Sequence, residues 1–239
     1  MFPLHDDNPT PVIPYVTYVT LFVCIAAFIW QITQSAQGQQ VIIYALGVIP
    51  AVLLGSVQLA PDISWVPPSV TVFTSMFLHG GWMHLIGNML YLWVFANNVE
   101  AAMGHLRFIV FYLLCGVAAV FAQVLPDAGS EIPMIGASGA ISGVLGAYML
   151  LYPKARVLVV IPIFFIFQTV RIPAMYVLGV WFLMQLYSSA MAGDQEGGVA
   201  FGAHIGGFIA GLLLVSVFKH AHIKLHIPFV HFHPFRRKS

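Results

Sequence analysis

The amino-acid sequence predicts an all-α membrane protein with six transmembrane helices, of which the fourth is short. Of its 239 residues, 60% are hydrophobic and 7% are charged, whereas about a quarter of the residues in soluble domains are charged. Several apolar runs approach the roughly 20 residues that a spanning helix needs. The net charge of +1 at pH 7 gives no reason to expect a nucleic acid as a partner.

Five runs of ordinary length are predicted to span the bilayer: residues 14–31, 82–96, 107–123, 172–190 and 200–218. A sixth run, residues 137–152, would form a helix only about 24 Å long, shorter than the roughly 30 Å hydrocarbon core. We expect this fourth helix to begin below the membrane surface, with non-helical chain above it. Such backbone is tolerated at depth only inside protein or beside a water-filled cavity.

Another apolar run, residues 157–167, is predicted not to cross the membrane. With six spans and both termini inside, all nine Lys and Arg residues fall on the cytoplasmic side, as the positive-inside rule requires. We therefore expect an interfacial segment, broken at Pro162. The nine residues are Arg107, Lys154, Arg156, Arg171, Lys219, Lys224, Arg236, Arg237 and Lys238.

The predicted organisation has three parts. Residues 1–13 form a cytoplasmic N-terminus, residues 14–218 the six-helix domain and residues 219–239 a basic, His-rich cytoplasmic tail. Within the domain, the long loop 32–81 is too apolar to be fully solvated, and we expect part of it in the outer interface. The tail is predicted to lie along the membrane, with metal binding as the alternative. Cys24 and Cys115 fall inside spans and are expected to be buried and unpaired.

Polar residues inside spans are costly and therefore mark candidate functional positions. His84 and Asn88 are four residues apart, so they share one helix face. They either hold helices together by hydrogen bonds or act as a pair of donors pointing into the bundle.

Two segments rich in small residues, "GASGAISGVLG" and "GAHIGGFIAG", predict helices that approach each other closely. That approach would place Ser138 near His204 and so pair a nucleophile with a general base. Ser142, one turn deeper, is expected to pack or to hydrogen-bond to backbone. The predicted helix-packing residues are Gly136, Gly139, Gly143, Gly207 and Gly211.

Other membrane-embedded hydrolases are disfavoured. All eight Asp and Glu residues are expected outside the span interiors, which leaves no candidates for an aspartyl dyad. The zinc-protease motif H-E-x-x-H does not occur, so no metal or other cofactor is expected. Without a buried carboxylate to orient the imidazole, a Ser-His dyad is predicted rather than a triad.

The stretches "FLHGGWMHLIGNMLYLWVFANNVE", "IGASGAISG" and "GAHIGGFIAG" follow one another on alternate spans. In these motifs, and over nearly its whole length, the chain resembles the rhomboid family of intramembrane serine proteases. The resemblance implies a six-transmembrane-helix bundle around a short, central fourth helix, with Ser138 as the nucleophile and His204 as the base. It also implies an oxyanion hole formed by His84, Asn88 and the backbone N–H of Ser138.

The resemblance further implies that the substrates are transmembrane proteins, cleaved near the outer face of the bilayer. The alternative is an inactive rhomboid-like module that binds membrane proteins. The lack of an added seventh span predicts a prokaryotic inner (plasma) membrane, while the oligomeric state stays open. Two features depart from the family pattern: Ser142 stands where some members have a Tyr that stacks on the catalytic His, and the first long loop has no Arg.

Overall fold

The computed structural model describes residues 2–163, 166–191 and 200–226. All six predicted spanning helices form, which confirms the helical membrane bundle. They are α1 (Tyr15–Ile32), α5 (Trp82–Met103), α6 (His105–Val124), α7 (Ser138–Leu151), α8 (Ala174–Met191) and α9 (Phe201–Phe218). Among the described residues, α1, α6, α8 and α9 are long and apolar enough to cross a membrane by length and composition.

The short helix α7 lies at the centre of the bundle and packs against α9, α6 and α5. Every residue from Gly139 to Tyr148 is buried. Because α7 has 14 residues, its length as a helix is about 21 Å. The prediction of a short, enclosed fourth helix matches this position.

Glycines allow α7 and α9 to touch through their backbones. A Cβ at Gly207 would overlap the carbonyl oxygen of Gly139, and a Cβ at Gly211 would overlap that of Gly143. A Cβ at Gly146 would likewise overlap the carbonyl oxygen of Phe208. Any side chain at these positions would push the two helices apart.

A three-stranded antiparallel sheet, which was not predicted, covers one end of the bundle. Strand β2 (Arg156–Ile163) pairs with β1 (Phe2–Asp6) on one side and with β3 (Ile166–Pro173) on the other. Strands β2 and β3 are rich in Val and Ile, which favour extended chain. Because β2 continues through Pro162, the predicted break at that residue is wrong, and β3 leads the chain back to the end of the bundle where β2 began.

This end of the bundle carries the basic residues. The backbone N–H of His220 donates to the carbonyl of Ala102, and that of His226 donates to Leu150, so the chain after α9 lies against the ends of α5 and α7. Six of the nine basic residues, from Arg107 to Lys224, are described, and all lie here. We call this the inner end. The predicted tail beyond residue 226 lies outside the described residues.

Helix α5 is longer than the predicted 82–96, and the extension contains a carboxylate. Glu100 is 1% exposed, so the expectation that no carboxylate is buried is wrong. Its carboxylate accepts the N–H groups of Val16 (2.9 Å) and Thr17 (2.8 Å) at the start of α1. It thereby satisfies N–H groups that the helix itself leaves unpaired.

At the opposite, outer end, loop 32–81 contains three short helices: α2 (Ala36–Leu46), α3 (Pro50–Leu53) and α4 (Pro68–Thr74). After α2, Val48 pairs with Met134, and the two backbones exchange hydrogen bonds of 3.0 and 2.7 Å. This pairing ties the loop to the chain that enters α7. It fixes the place where the fourth helix begins.

Candidate active site

A cavity of about 840 Å³ lies among α5, α6, α7, α8 and α9. Ser138, His204, His84 and Asn88 all line it. The four residues that the sequence singled out are therefore brought to one cavity, although they come from three helices. Their neighbours also meet, because a Cβ at Gly139 would lie 3.8 Å from the Cβ of Ala203.

Ser138 is the first residue of α7. The first N–H groups of a helix have no partner within it and form its positive end, so those of Ser138 and its successors are available to an anion in the cavity. One turn on, Ser142 donates its hydroxyl proton to the carbonyl oxygen of Ser138 (2.6 Å). That hydroxyl bonds to backbone, one of the two roles expected for it.

His204 lies in the first turn of α9, and its ring is held by α8. Its Nδ1 is 2.7 Å from Oε1 of Gln185, and the indole of Trp181 lies tilted beside it with ring centroids 5.9 Å apart. Within the described residues, no hydrogen bond joins His204 to Ser138. In unliganded hydrolases the bond between nucleophile and base is often long and tightens when substrate binds.

His84 and Asn88 point at the chain just before Ser138. A Cβ built on Gly136 would lie 2.6 Å from Nε2 of His84 and 3.7 Å from Nδ2 of Asn88. The backbone N–H of Gly80 donates to Nδ1 of His84 (3.4 Å), which leaves Nε2 to carry the proton. Nδ2 of Asn88 is buried and has no hydrogen-bond partner in the described structure. Two N–H donors therefore face one point beside Ser138.

Gly136 differs from the other predicted packing glycines, because it precedes α7 and lies against His84 and Asn88 of α5 rather than at the contact of α7 with α6 or α9. Its φ is 124°, a value that favours glycine. Its N–H donates to the carbonyl of Ser75 (2.9 Å). A methyl group here would both strain the backbone and displace His84.

The sequence reasoning assigned no role to two further groups that support the site. His79, 1% exposed, packs edge-on against His84 with ring centroids 5.2 Å apart. Burial lowers the pKa of His79 to about 4, so the ring is neutral at physiological pH. Gln31 fixes the His79 backbone by donating to its carbonyl (3.3 Å) and accepting its N–H (3.1 Å). The sequence did contain a signal for this support, since Gln31 is a polar residue inside an apolar span.

The model of the rhomboid domain matches residues 68–221, a range that contains α5 to α9 and all four cavity residues. The chain belongs to the rhomboid family. The resemblance in the three motifs is thereby confirmed.

Among curated proteins, the rhomboid chain is similar to Rhomboid protein 1, mitochondrial, of Saccharomyces cerevisiae, with 30% identity over 156 residues. That match covers 62% of this chain and 42% of the yeast protein. RHOMBOID-like protein 5 of Arabidopsis thaliana is 33% identical over 78 residues, 33% of this chain and 25% of that protein. The human presenilin-associated rhomboid-like protein, mitochondrial, is 33% identical over 93 residues, 38% of this chain and 24% of that protein.

The chain thus spans less than half the length of these relatives. Their names also correct one expectation. Mitochondrial rhomboid proteins of yeast, fish and mammals are among the matches, which contradicts the prediction of a prokaryotic inner membrane. An integral membrane protein remains consistent with the four helices that are long and apolar enough to span a bilayer.

Proposed function

We propose that this rhomboid is an intramembrane serine endopeptidase that cleaves transmembrane segments of other membrane proteins near the outer end of its bundle. Ser138 is the nucleophile and His204 the general base. The observation that carries the proposal is the convergence of Ser138, His204, His84 and Asn88 on one cavity. A module that only binds membrane segments would not need a nucleophile, a base and unpaired donors in the same cavity.

The chemistry follows from these groups. Oγ of Ser138 attacks the scissile carbonyl, and Nε2 of His204 takes the hydroxyl proton and later delivers it to the leaving amine. The carbonyl oxygen becomes negative as the tetrahedral intermediate forms. Nε2–H of His84, Nδ2–H of Asn88 and the N–H of Ser138 would stabilise that charge, as preorganised donors do in an oxyanion hole.

The unpaired amide of Asn88 supports this assignment over a purely structural one. A buried donor without a partner costs free energy, and an amide whose only role was to join helices would have an acceptor across the interface. Asn88 is 7% exposed and its Nδ2 has none among the described residues. The substrate's oxyanion would supply the missing partner.

Labelling with a serine-directed, mechanism-based inhibitor tests the proposal. The detergent-purified protein is treated with the inhibitor and digested, and the modified peptide is sequenced by mass spectrometry. We expect the label on Ser138, and we expect Ser138→Ala and His204→Ala each to abolish cleavage of a single-span substrate. Ser142→Ala is the matched control, since it removes a hydroxyl one turn away, and it should still be labelled.

Cleavage that survives Ser138→Ala would refute the proposal, and a label on Ser142 would mean that the nucleophile is misassigned. Capture of the substrate by folded parent protein with neither labelling nor cleavage would establish the binding module instead.

A further inference from the structure

The interaction between Gln185 and His204 gives the proposed dyad a third member. We infer that Gln185 is a positioning residue that fixes the tautomer and the orientation of His204. This inference rests on the proposed function, because it assigns the group that prepares the base of that reaction. Gln185 lies on α8, outside the three motifs through which the sequence resembles its family.

The hydrogen bonds around Gln185 determine which atom of its amide faces His204. Nε2 of Gln185 lies 3.5 Å from the carbonyl oxygen of Trp181, one turn earlier in α8. The NH₂ group can only donate, so it belongs at that carbonyl, and Oε1 is left facing Nδ1 of His204 at 2.7 Å. An amide oxygen can only accept a hydrogen bond.

It follows that Nδ1 of His204 carries the proton. In a neutral imidazole the other nitrogen, Nε2, then holds the free lone pair. This is the tautomer that a general base needs in order to take a proton from serine. In Ser-His-Asp triads a carboxylate on Nδ1 imposes the same tautomer, and here a neutral amide oxygen occupies the equivalent place.

Three other side chains that could orient His204 are used elsewhere. Ser142, at the position where some relatives have a stacking Tyr, donates to the carbonyl of Ser138. The buried carboxylates Asp6 and Glu100 are bonded to Tyr148 and Asn98, and to α1, respectively, all toward the inner end. Helix α8 therefore places Gln185 at the edge of the imidazole and Trp181 beside its face.

Two substitutions distinguish the loss of the hydrogen-bond acceptor from the addition of a charge at the same position. Gln185→Met keeps the length of the side chain but removes the oxygen, so the imidazole is free to adopt either tautomer and to rotate. We expect single-turnover cleavage to slow by about tenfold or more, with KM nearly unchanged. Gln185→Glu keeps an acceptor and adds a negative charge that favours the protonated ring. We expect its cleavage near neutral pH to stay closer to the parent than that of Gln185→Met.

The pH profile gives the readout that a merely structural role would not move. Parent cleavage should fall on acidification, as His204 must be neutral to act as a base. With Gln185→Glu the acid limb of kcat/KM should move to higher pH by about one unit or more. The titratable groups that line the cavity with His204 are His84 and Tyr91 of α5; α6, α7 and α8 present Ala119, Ser138 and Trp181 there.

Ala190→Glu is the matched control. Residue 190 is exposed on α8 and, five residues beyond Gln185, points about 140° away from it, so the same charge is added without contact to His204. Its acid limb should coincide with that of the parent. If Ala190→Glu shifts the acid limb as far as Gln185→Glu does, the inference is overturned. A negative charge anywhere on α8 would then explain both shifts.

The two hypotheses fail in distinguishable ways. If the parent neither cleaves substrate nor accepts the serine label, the proposed function fails. If the parent is active while Gln185→Met retains its rate and Gln185→Glu retains its pH profile, only the positioning role is overturned. Rates are normalised to folded protein, and should the Met variant not fold, the pH profile of Gln185→Glu decides alone.

Discussion

The carbonyl oxygen of Gly139 lies where a Cβ on Gly207 would have to be. Gly139 follows Ser138 by one residue, and Gly207 follows His204 by three. This backbone contact therefore sets the distance between the proposed nucleophile and base. Hydrogen-bond reach between two side chains tolerates little displacement, and a misplacement of about 1 Å can cost on the order of 10²-fold in rate. The contact between α7 and α9 is therefore a determinant of the site as well as of the fold.

Gly207→Ala should both destabilise the protein and slow cleavage by the folded fraction. The added methyl group must push α7 and α9 apart, because the atom it meets is backbone and cannot rotate away. The control is Gly179→Ala in α8, where a Cβ meets nothing within 4 Å and a helical Ala is at least as favourable as Gly. Thermal unfolding in detergent and normalised cleavage check both. Parent-like behaviour of Gly207→Ala would contradict the packing argument.

Asn88→Ala and His84→Ala should each lower kcat by about 10² to 10³ and leave weak, measurable cleavage, since the remaining donors still hold the oxyanion. Ser138→Ala should leave none. Single-turnover cleavage normalised to folded protein measures the difference. If both donors only join helices, the melting temperature falls and the rate of the folded fraction stays near that of the parent, which would exclude the oxyanion role while sparing the dyad.

Ionisation of Asp6 should make the stability of the protein depend on pH. Its side chain is 3% exposed, and burial raises the pKa of this carboxyl above its ordinary value. The folded protein then keeps a proton that the unfolded chain has lost. The free energy of unfolding therefore falls as pH rises from about 4 through the folded pKa, and levels off above it.

The side chain of Asp6→Asn cannot ionise, so this variant should lack the contribution of residue 6 to the pH dependence of stability. The melting temperature of the parent minus that of Asp6→Asn should become smaller between pH 4 and pH 7, while titration of the other groups cancels between the two proteins. An increase of that difference with pH would mean that the bonds from Tyr148 and Asn98 outweigh the effect of burial.

Glu100→Ala should be among the most destabilising single substitutions at the inner end. It removes the acceptor of the N–H groups of Val16 and Thr17 and of the Thr17 hydroxyl (2.7 Å). Leaving buried donors unpaired costs about 1–3 kcal/mol for each group. Glu131→Ala, at an exposed outer position, is the control. Denaturation in detergent should show a large loss for Glu100→Ala alone; equal stabilities would refute the capping role.

Local patterns in the sequence were enough to predict the six helices, the shortness of the fourth and the side of the bundle that carries the basic residues. Each of these features can be read from residues close together in the chain. The length of an apolar run predicts a helix and how long it is, and the charged residues at the ends of the runs predict which side they lie on. The spacing of the glycines likewise predicts which helix faces pack closely. The motifs around His84, Ser138 and His204 belong to the same kind of information. The family comparison confirmed the membership that they indicated.

The sheet was missed because the run 157–167 is uniformly apolar, and such a run does not distinguish a strand from a helix or an interfacial segment. Its extended form depends on pairing with β3 and with β1, and β1 lies more than 150 residues earlier in the chain. The burial of Glu100 was missed for a related reason. In the sequence, a charged residue such as Glu100 indicates the end of a spanning helix. Only the structure shows that backbone N–H groups of α1 pair with its carboxylate inside the protein.

The sequence by itself determined which residues could perform chemistry, because a serine, two histidines and an asparagine in apolar spans are costly unless they are used. Only the tertiary structure decided how those residues are held. Gln185 meets His204 from another helix, and His84 meets Gly136 across a loop. Contacts between distant segments require a distance and a direction in space, and neither is encoded in the local pattern of the chain.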